Sequence, residues 1–381
     1  MSRPLKVLLS AGEASGDRLG AGLARAIRHR RPDAEVVGMG GDEMAAAGVR
    51  LVQHASEVAV MGLVEVIRHL PALRRTLALL AHTIERERPD VVVPIDFPDF
   101  NLRLAERSRR LGVPVVYFVS PQVWAWRTGR VRRIKSVVRR MLVLFPFEAA
   151  FYERAGIPVT FVGHPAAERA SSHVDGDVLL RRAGLDPARE VVALVPGSRL
   201  GEVTRILPTL LDAAAMVQAR RPGVQFLVTR AATLPRTVVG SMVDAAGLAD
   251  TVVHGEDFPE ILRACDAGAV TSGTASLEAA LAGLPMVVVY RLHPVSFLLA
   301  ARLVHVAHAS LPNLIAGREI VPELLQGRLR AGSVAEVVLG YLASPDRAQA
   351  TREALADVKR VVERPDSFGL AAQAVLEEVA C

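Results

Sequence analysis

Cysteine is almost missing from this chain: Cys265 and Cys381 are the only two in 381 residues. Two thiols build neither a disulfide framework nor a thiolate metal cluster, so a reducing cytosol is the expected setting. Aromatic residues are scarce as well, 4% against 51% hydrophobic overall, which leaves Ala, Val and Leu to fill the core. No long apolar run occurs. The best candidates, Ala279–Tyr290 and Phe297–His308, are interrupted by Pro285 and Arg302, so no membrane span is expected. The opening M-S-R-P-L-K-V-L-L-S has too short an apolar core for a secretory signal and runs straight into a strand. A G-x-G-x-x-G fingerprint is lacking, which argues against a nicotinamide site. Acids are absent from one stretch, where Arg127, Arg130, Arg132, Arg133, Lys135, Arg139 and Arg140 all precede Glu148.

What is present is a basic chain of two-domain length, with a formal charge of +6 and a pI near 9.9. That balance points to an anionic partner: nucleic acid, an acidic membrane surface or a phosphorylated substrate. A basic run is usually a solvated helix face. Here the only two tryptophans, Trp124 and Trp126, sit directly before it, which suits a lipid headgroup interface or a phosphate-bearing ligand.

The stretch around which the first half is organised is V-V-V-P-I-D-F-P-D-F-N, Val91–Asn101. Its β-branched run reads as a strand covered on both faces, and Pro98 requires the strand to have ended. Ligands bind beyond the carboxyl ends of parallel strands, so Asp96 and Asp99 are expected at a cleft, Asp96 as a general base. The plainer alternative has Asp96 capping a loop and Asp99 capping the following helix. Lys6–Ser10 is a first strand; the glycines of A-G-E-A-S-G-D-R-L-G-A turn it into a helix that Ser15 or Asp17 caps. Glu13 and Asp17 would repel phosphate but accept hydrogen bonds from sugar hydroxyls. After a second strand, Ala34–Met39, the glycine turn G-M-G-G-D-E-M leads into another helix. Over Val58–Arg86, Leu63, Val66, Ile67, Leu70, Leu73, Leu77 and Leu80 recur at helical spacing, with Pro71 expected to kink or break the segment. This is either a helix pair packed on the sheet or an apolar face with basic flanks for a membrane interface. Val113–Val119, Met141–Phe145 and Val159–Val162 complete the strands, and His164 reads as a loop histidine.

The polar segment Ala166–Asp177 marks a boundary, and its Asp175-Gly176-Asp177 reads as a turn rather than a metal motif. The same grammar then restarts. Glu190–Val195 leads into P-G-S-R, and Val224–Thr229, Thr251–His254, Ala267–Val270 and Pro285–Tyr290 follow as strands. After Ala267–Val270 comes T-S-G-T-A-S-L-E, in which Gly273 and the helix start at Thr274–Ser276 form an anion site suited to a diphosphate. Glu278, one turn on, can take a ribose diol. Ser310–Gln326 adds Asn313, Arg318 and Gln326 as polar groups, and the tail from Ser344 is helical with a break near Asp366. The fold class expected is α/β: two Rossmann-like doubly wound domains facing across a cleft, residues 1–165 and 178–345, with a tail, 346–381, that packs on the first domain or on a partner.

Seven motifs in this order resemble the lipid-A-disaccharide synthase family, inverting glycosyltransferases of the GT-B type. They are Ala11–Ala21, V-M-G-L-V-E-V (Val60–Val66), I-D-F-P-D-F-N (Ile95–Asn101), V-S-P-Q-V-W-A-W-R (Val119–Arg127), P-G-S-R-L-G-E (Pro196–Glu202), S-G-T-A-S-L-E (Ser272–Glu278) and S-L-P-N-L-I (Ser310–Ile315). The resemblance implies UDP-2,3-diacylglucosamine as donor, 2,3-diacylglucosamine 1-phosphate (lipid X) as acceptor, and a β-1,6-linked disaccharide as product. It further implies a peripheral enzyme on the cytoplasmic face of the inner membrane, often a homodimer, that needs no cofactor and no divalent metal.

On that basis Asp96 takes the acceptor proton. Ser198, Arg199, Ser272, Gly273, Thr274, Ala275, Glu278 and Asn313 hold the UDP donor. Glu13, Ser15, Asp99, Asn101 and Gln122 face the acceptor or a sugar, and Leu63, Val66, Ile67, Leu70, Trp124 and Trp126 meet acyl chains or membrane. The rival enzymes are a UDP-GlcNAc epimerase or a lipid-linked GlcNAc transferase. A non-catalytic binder of nucleic acid or acidic lipid would explain the charge but leaves Asp96, Glu13 and Asp17 without a role.

Overall fold

The computed structural model describes residues 3–57, 63–121, 123, 129–170, 175–231, 234–248, 250–255, 260–292 and 307–379, with only the backbone described for 63–69 and 169. The chain divides into two units, Met1–Pro165 with Val362–Cys381, and Ala166–Val361.

The first unit alternates strand and helix: β1 Lys6–Ala11, α1 Ala14–Arg30, β2 Glu35–Gly40, α2 Asp42–Ala46, β3 Arg50–His54, α3 Leu63–Glu87, β4 Val91–Ile95, α4 Pro98–Arg110, β5 Val116–Phe118, α5 Arg130–Val137, β6 Arg140–Val143, α6 Pro146–Arg154 and β7 Val159–Phe161. Its described strands form one parallel sheet in the order β3-β2-β1-β4-β5-β6-β7. Every residue of β4 is buried, as a central strand with helices on both faces requires. Pro94 interrupts the ladder to β5: Val92 N bonds Pro114 O at 3.0 Å and Asp96 N bonds Phe118 O at 3.0 Å, and the proline between them, without an N–H, donates nothing.

This unit holds one strand that was not expected, and the break allowed for at Pro71 does not occur. The helix after Gly41 is only five residues long and gives way to β3, whose mixed sequence R-L-V-Q-H and half-exposed edge position hide it from a pattern of buried runs. Pro71 does not end a helix either: α3 continues through it for 25 residues. A proline inside a helix forfeits one backbone hydrogen bond, about 3 kcal/mol with its steric clash. Burial of Leu77, Leu80 and Ile84 against Leu8, Val37, Met39 and Val92 of the sheet offsets that cost.

The second unit contains α7 Pro165–Arg169 at its start, α8 Gly176–Ala183, β8 Val191–Val195, α9 Leu200–Arg220, β9 Gln225–Thr229, α10 Arg236–Ala246, β10 Thr251–His254, β11 Ala267–Thr271, α11 Thr274–Leu281, β12 Met286–Tyr290, α12 Leu311–Ala316, β13 Glu323–Leu325, α13 Ala331–Ala343 and α14 Pro345–Val362. Its sheet is parallel in the order β10-β9-β8-β11-β12-β13. Apolar clusters cover both faces. One gathers α9, α10 and α13, and the other gathers α8, α11 and Leu355 of α14. Asp175 caps α8 by accepting from Asp177 N at 3.0 Å, so the Asp-Gly-Asp sequence is a turn.

The last helix, α15 Ser367–Glu377, returns to the first unit. It packs on α1, where a Cβ on Gly22 would come within 2.2 Å of the Phe368 ring. Only glycine leaves room for that ring. Arg139 and Arg140 clamp the end of the helix, each 2.7 Å from a carboxylate oxygen of Glu378.

Candidate active site

In a doubly wound sheet, the carboxyl ends of the strands collect ligand groups where strand order reverses. In the first unit the reversal lies between β1 and β4, whose last residues pair as Ala11↔Ile95. The turn with Glu13 and Ser15 leaves one strand and Asp96 leaves the other at adjoining points. Glu13 and Ser15 are exposed; Asp96 is half-buried. The two turns interlock, since a Cβ on Gly12 would meet the Phe97 ring at 2.4 Å.

This edge is strained. Asp96 and Phe97 both lie in the left-handed region, at φ 46° and 49°, and Val119 after β5 has φ 69°. Such non-glycine conformations cost about 1–3 kcal/mol each and gather at functional sites. The backbone of Asp96 is correspondingly well held, accepting from Asn101 Nδ2 at 2.7 Å and from the Tyr117 hydroxyl at 2.8 Å.

Three polar residues expected near ligand have structural work instead. Asn101 is fully buried: its Oδ1 accepts from Ser10 Oγ at 2.7 Å, and its Nδ2 donates to the carbonyls of Ser10, Ile95 and Asp96. It bolts β1 to β4 and meets no acceptor sugar. Asp17 is 6% exposed and accepts from Gly41, Glu43 and Met44 N at 2.6, 3.0 and 3.1 Å. It caps α2 rather than α1, and its carboxylate fills the helix N-terminus that a phosphate would otherwise seek. Asp99 is exposed in the first turn of α4 and paired with Arg130, so it does not cap that helix. Gln122, Trp124 and Trp126 lie outside the described residues. So do the side chains of Leu63, Val66 and Ile67, while Leu70 on α3 is 37% exposed. His164 is 8% exposed and stacks on Phe145, a packed histidine.

The second unit reverses strand order between β8 and β11, paired at Val195↔Val270. Beyond β8, Ser198 and Arg199 are exposed, and the Arg199 guanidinium is 3.5 Å from Glu202. Beyond β11, Ser272 and Ala275 are half-buried and Gly273 and Thr274 exposed. Gly273 has φ 134° and open space where a Cβ would sit, at the N-terminus of α11. Glu278 lies one turn down the helix at 8% exposure. The hydroxyl of Thr271, buried at the end of β11, has no hydrogen-bond partner among the described residues.

Asn313 does not join this group as a ligand contact. It is fully buried, and its amide is satisfied four times: by Ile320 N and Val321 N at Oδ1, and by Val321 O and Glu323 at Nδ2, at 2.8–3.0 Å. Glu323, which the sequence did not single out, is the centre of that node. It accepts from Ala309 N, Ser310 N and Ser310 Oγ as well as from Asn313. Ser272 Oγ then donates to Ala309 O at 2.7 Å, tying the node to the turn before α11. Burial alone would raise the Glu323 carboxyl; the donors from Ala309, Ser310 and Asn313 outweigh it and hold the group below the ordinary glutamate range. Arg318 is exposed beyond α12, and Gln326 accepts from Leu292 N at 3.1 Å.

The basic run is largely spent on internal pairs: Arg130 with Asp99, Arg133 with Glu106, Arg139 and Arg140 with Glu378. Arg132 remains exposed on α5, and Arg103 and Arg110 are exposed on the adjoining α4. The bond from Arg133, then the charges of Arg110 and Arg103, lower the Glu106 carboxyl against its burial, which marks this face as electropositive. A cavity of about 630 Å³ in the second unit, lined by Arg189, Arg263 and Asp266, opens at the amino edge of the sheet, away from these turns.

The family model described as lipid-A-disaccharide synthetase matches residues 7–376. The chain belongs to the lipid-A-disaccharide synthase family. It is 46% identical over 375 residues to the lipid-A-disaccharide synthase of Alkalilimnicola ehrlichii, covering 98% of each chain. To that of Myxococcus xanthus it is 43% identical over 377 residues, covering 99% of this chain and 98% of the other. Its fold is that of MnaA from S. aureus, solved with UDP: TM-score 0.68 at 10% identity, covering 98% of this chain and 96% of that one. All seven motifs lie within the span that the lipid-A-disaccharide synthase family model covers. Among the described residues, no helix is long and apolar enough to cross a membrane.

Proposed function

We propose that the protein moves the diacylglucosaminyl group of UDP-2,3-diacylglucosamine onto the 6-hydroxyl of 2,3-diacylglucosamine 1-phosphate. The bond from sugar C1 to UDP breaks while the bond from C1 to O6 forms on the opposite face, which gives a β-1,6 linkage and free UDP. The hydroxyl proton goes to Asp96. The reading is carried by the place of this carboxylate, half-buried on a strained turn at the β1/β4 reversal in a member of this family. Arg199 and the N–H groups that open α11 offset the charge growing on the diphosphate, and Glu278 takes the ribose hydroxyls. Incubation with both diacylated substrates in detergent is expected to yield UDP and a tetraacyl disaccharide 1-phosphate by mass. Efficient consumption of unacylated UDP-GlcNAc would instead favour an epimerase or a lipid-linked GlcNAc transferase on the same fold.

Acylated substrates bring the protein to an anionic bilayer surface, which Arg103, Arg110 and Arg132 are suited to meet. Changing all three to Ala is expected to weaken binding to phosphatidylglycerol-containing vesicles by roughly 1 kcal/mol per residue at low salt, with a smaller effect as salt rises. Unchanged partitioning in a sedimentation assay would remove this face from the role.

A further inference from the structure

The turn that carries Asp96 is fixed from outside its side chain. Its N–H donates to Phe118 O at 3.0 Å, which constrains φ. Its carbonyl receives the Asn101 amide at 2.7 Å and the Tyr117 hydroxyl at 2.8 Å, which constrains ψ. With both dihedrals set, the direction of the Cα–Cβ bond is set as well, in a left-handed conformation at φ 46°. We propose that Tyr117 is a positioning residue that, together with Asn101, aims the Asp96 carboxylate at the acceptor hydroxyl by holding the carbonyl of the same residue. The inference rests on Asp96 acting as the base.

The local chemistry fits a permanent donor rather than a second acid or base. Tyr117 is fully buried, and burial first, then the charge of Asp96, pushes its phenol well above the ordinary tyrosine range, so its proton stays in the bond at any working pH. A core tyrosine needs only one nearby acceptor, and any main-chain carbonyl would serve. This one bonds the carbonyl of a strained residue that Asn101, itself bolted to β1 and β4, already holds. Two buried donors converge on the one peptide group whose rotation would swing Asp96 away.

Tyr117→Phe removes the hydroxyl and keeps the ring. It is expected to lower kcat ten- to a hundred-fold, the scale of an ångström-level misplacement, with KM for the donor and UDP affinity unchanged. In an Asp96→Asn background the same change is expected to add almost nothing, because the two residues act as a unit. Wild-type turnover for Tyr117→Phe, or an equal fall in both backgrounds, overturns the positioning role and leaves the base assignment intact. Full turnover by Asp96→Asn alone overturns the base assignment, and the positioning role with it.

Discussion

Asp96→Asn is expected to lower kcat by about 10²–10⁴, the usual contribution of a positioned general base, while UDP binds as before. In barrier terms that is about 3–5 kcal/mol. Asparagine is the sharper substitution because the residue sits at φ 46°. Asn, like Asp, enters the left-handed region at modest cost, whereas Ala pays about 1–2 kcal/mol to stay there. Asp96→Ala should therefore lose the same turnover and some stability in addition. Neither change touches the backbone bonds from Asn101 and Tyr117, so the turn itself is expected to survive in the Asn variant. Steady-state rates for both variants, with UDP affinity by calorimetry as the control, check this. Turnover close to wild type in Asp96→Asn would remove the carboxylate from proton transfer.

The central strands were legible because a strand buried on both faces has to be apolar without alternation, as Val91–Ile95 and Val191–Val195 are. The edge elements were not. β3 carries Arg50 and Gln53 beside solvent, and β13 has three residues, of which one is Glu323. The positions of the turns at the two strand-order reversals followed from glycines and strand ends, which are local signals. The work done by single polar side chains was illegible for the opposite reason. Asn101 finds Ser10 across 91 residues and Asp17 finds Gly41 across 24, so no spacing announces either bond. A carboxylate or amide in a motif looks the same whether it faces substrate or holds a loop. Burial and the bonds made in the fold mark Asp17 and Asn313 as structural, and the sequence carries neither signal.

Glu323→Ala is expected to produce the largest loss of stability among these sites, about 2–4 kcal/mol, because it strands Ala309 N, Ser310 N, Ser310 Oγ and the Asn313 amide together. Glu323→Gln should fall between Ala and wild type, since one oxygen remains an acceptor while the new amide group faces donors. The pH dependence gives the sign. The folded-state carboxyl lies below its ordinary value of 4.5, so folding favours the ionised form. Its contribution is therefore whole above the unfolded value and is lost as pH falls through the lower folded value. Thermal melts of wild type and Glu323→Gln should thus run a constant distance apart near neutrality and converge in acid. The consequence for the site is indirect but measurable. Ser272 is tied through Ala309 to this node, so loosening it should weaken UDP binding before it alters the chemical step. A parallel gap down to pH 3, or a Gln variant with undiminished UDP affinity, would show that the carboxylate neither ionises with folding nor holds the turn that opens α11.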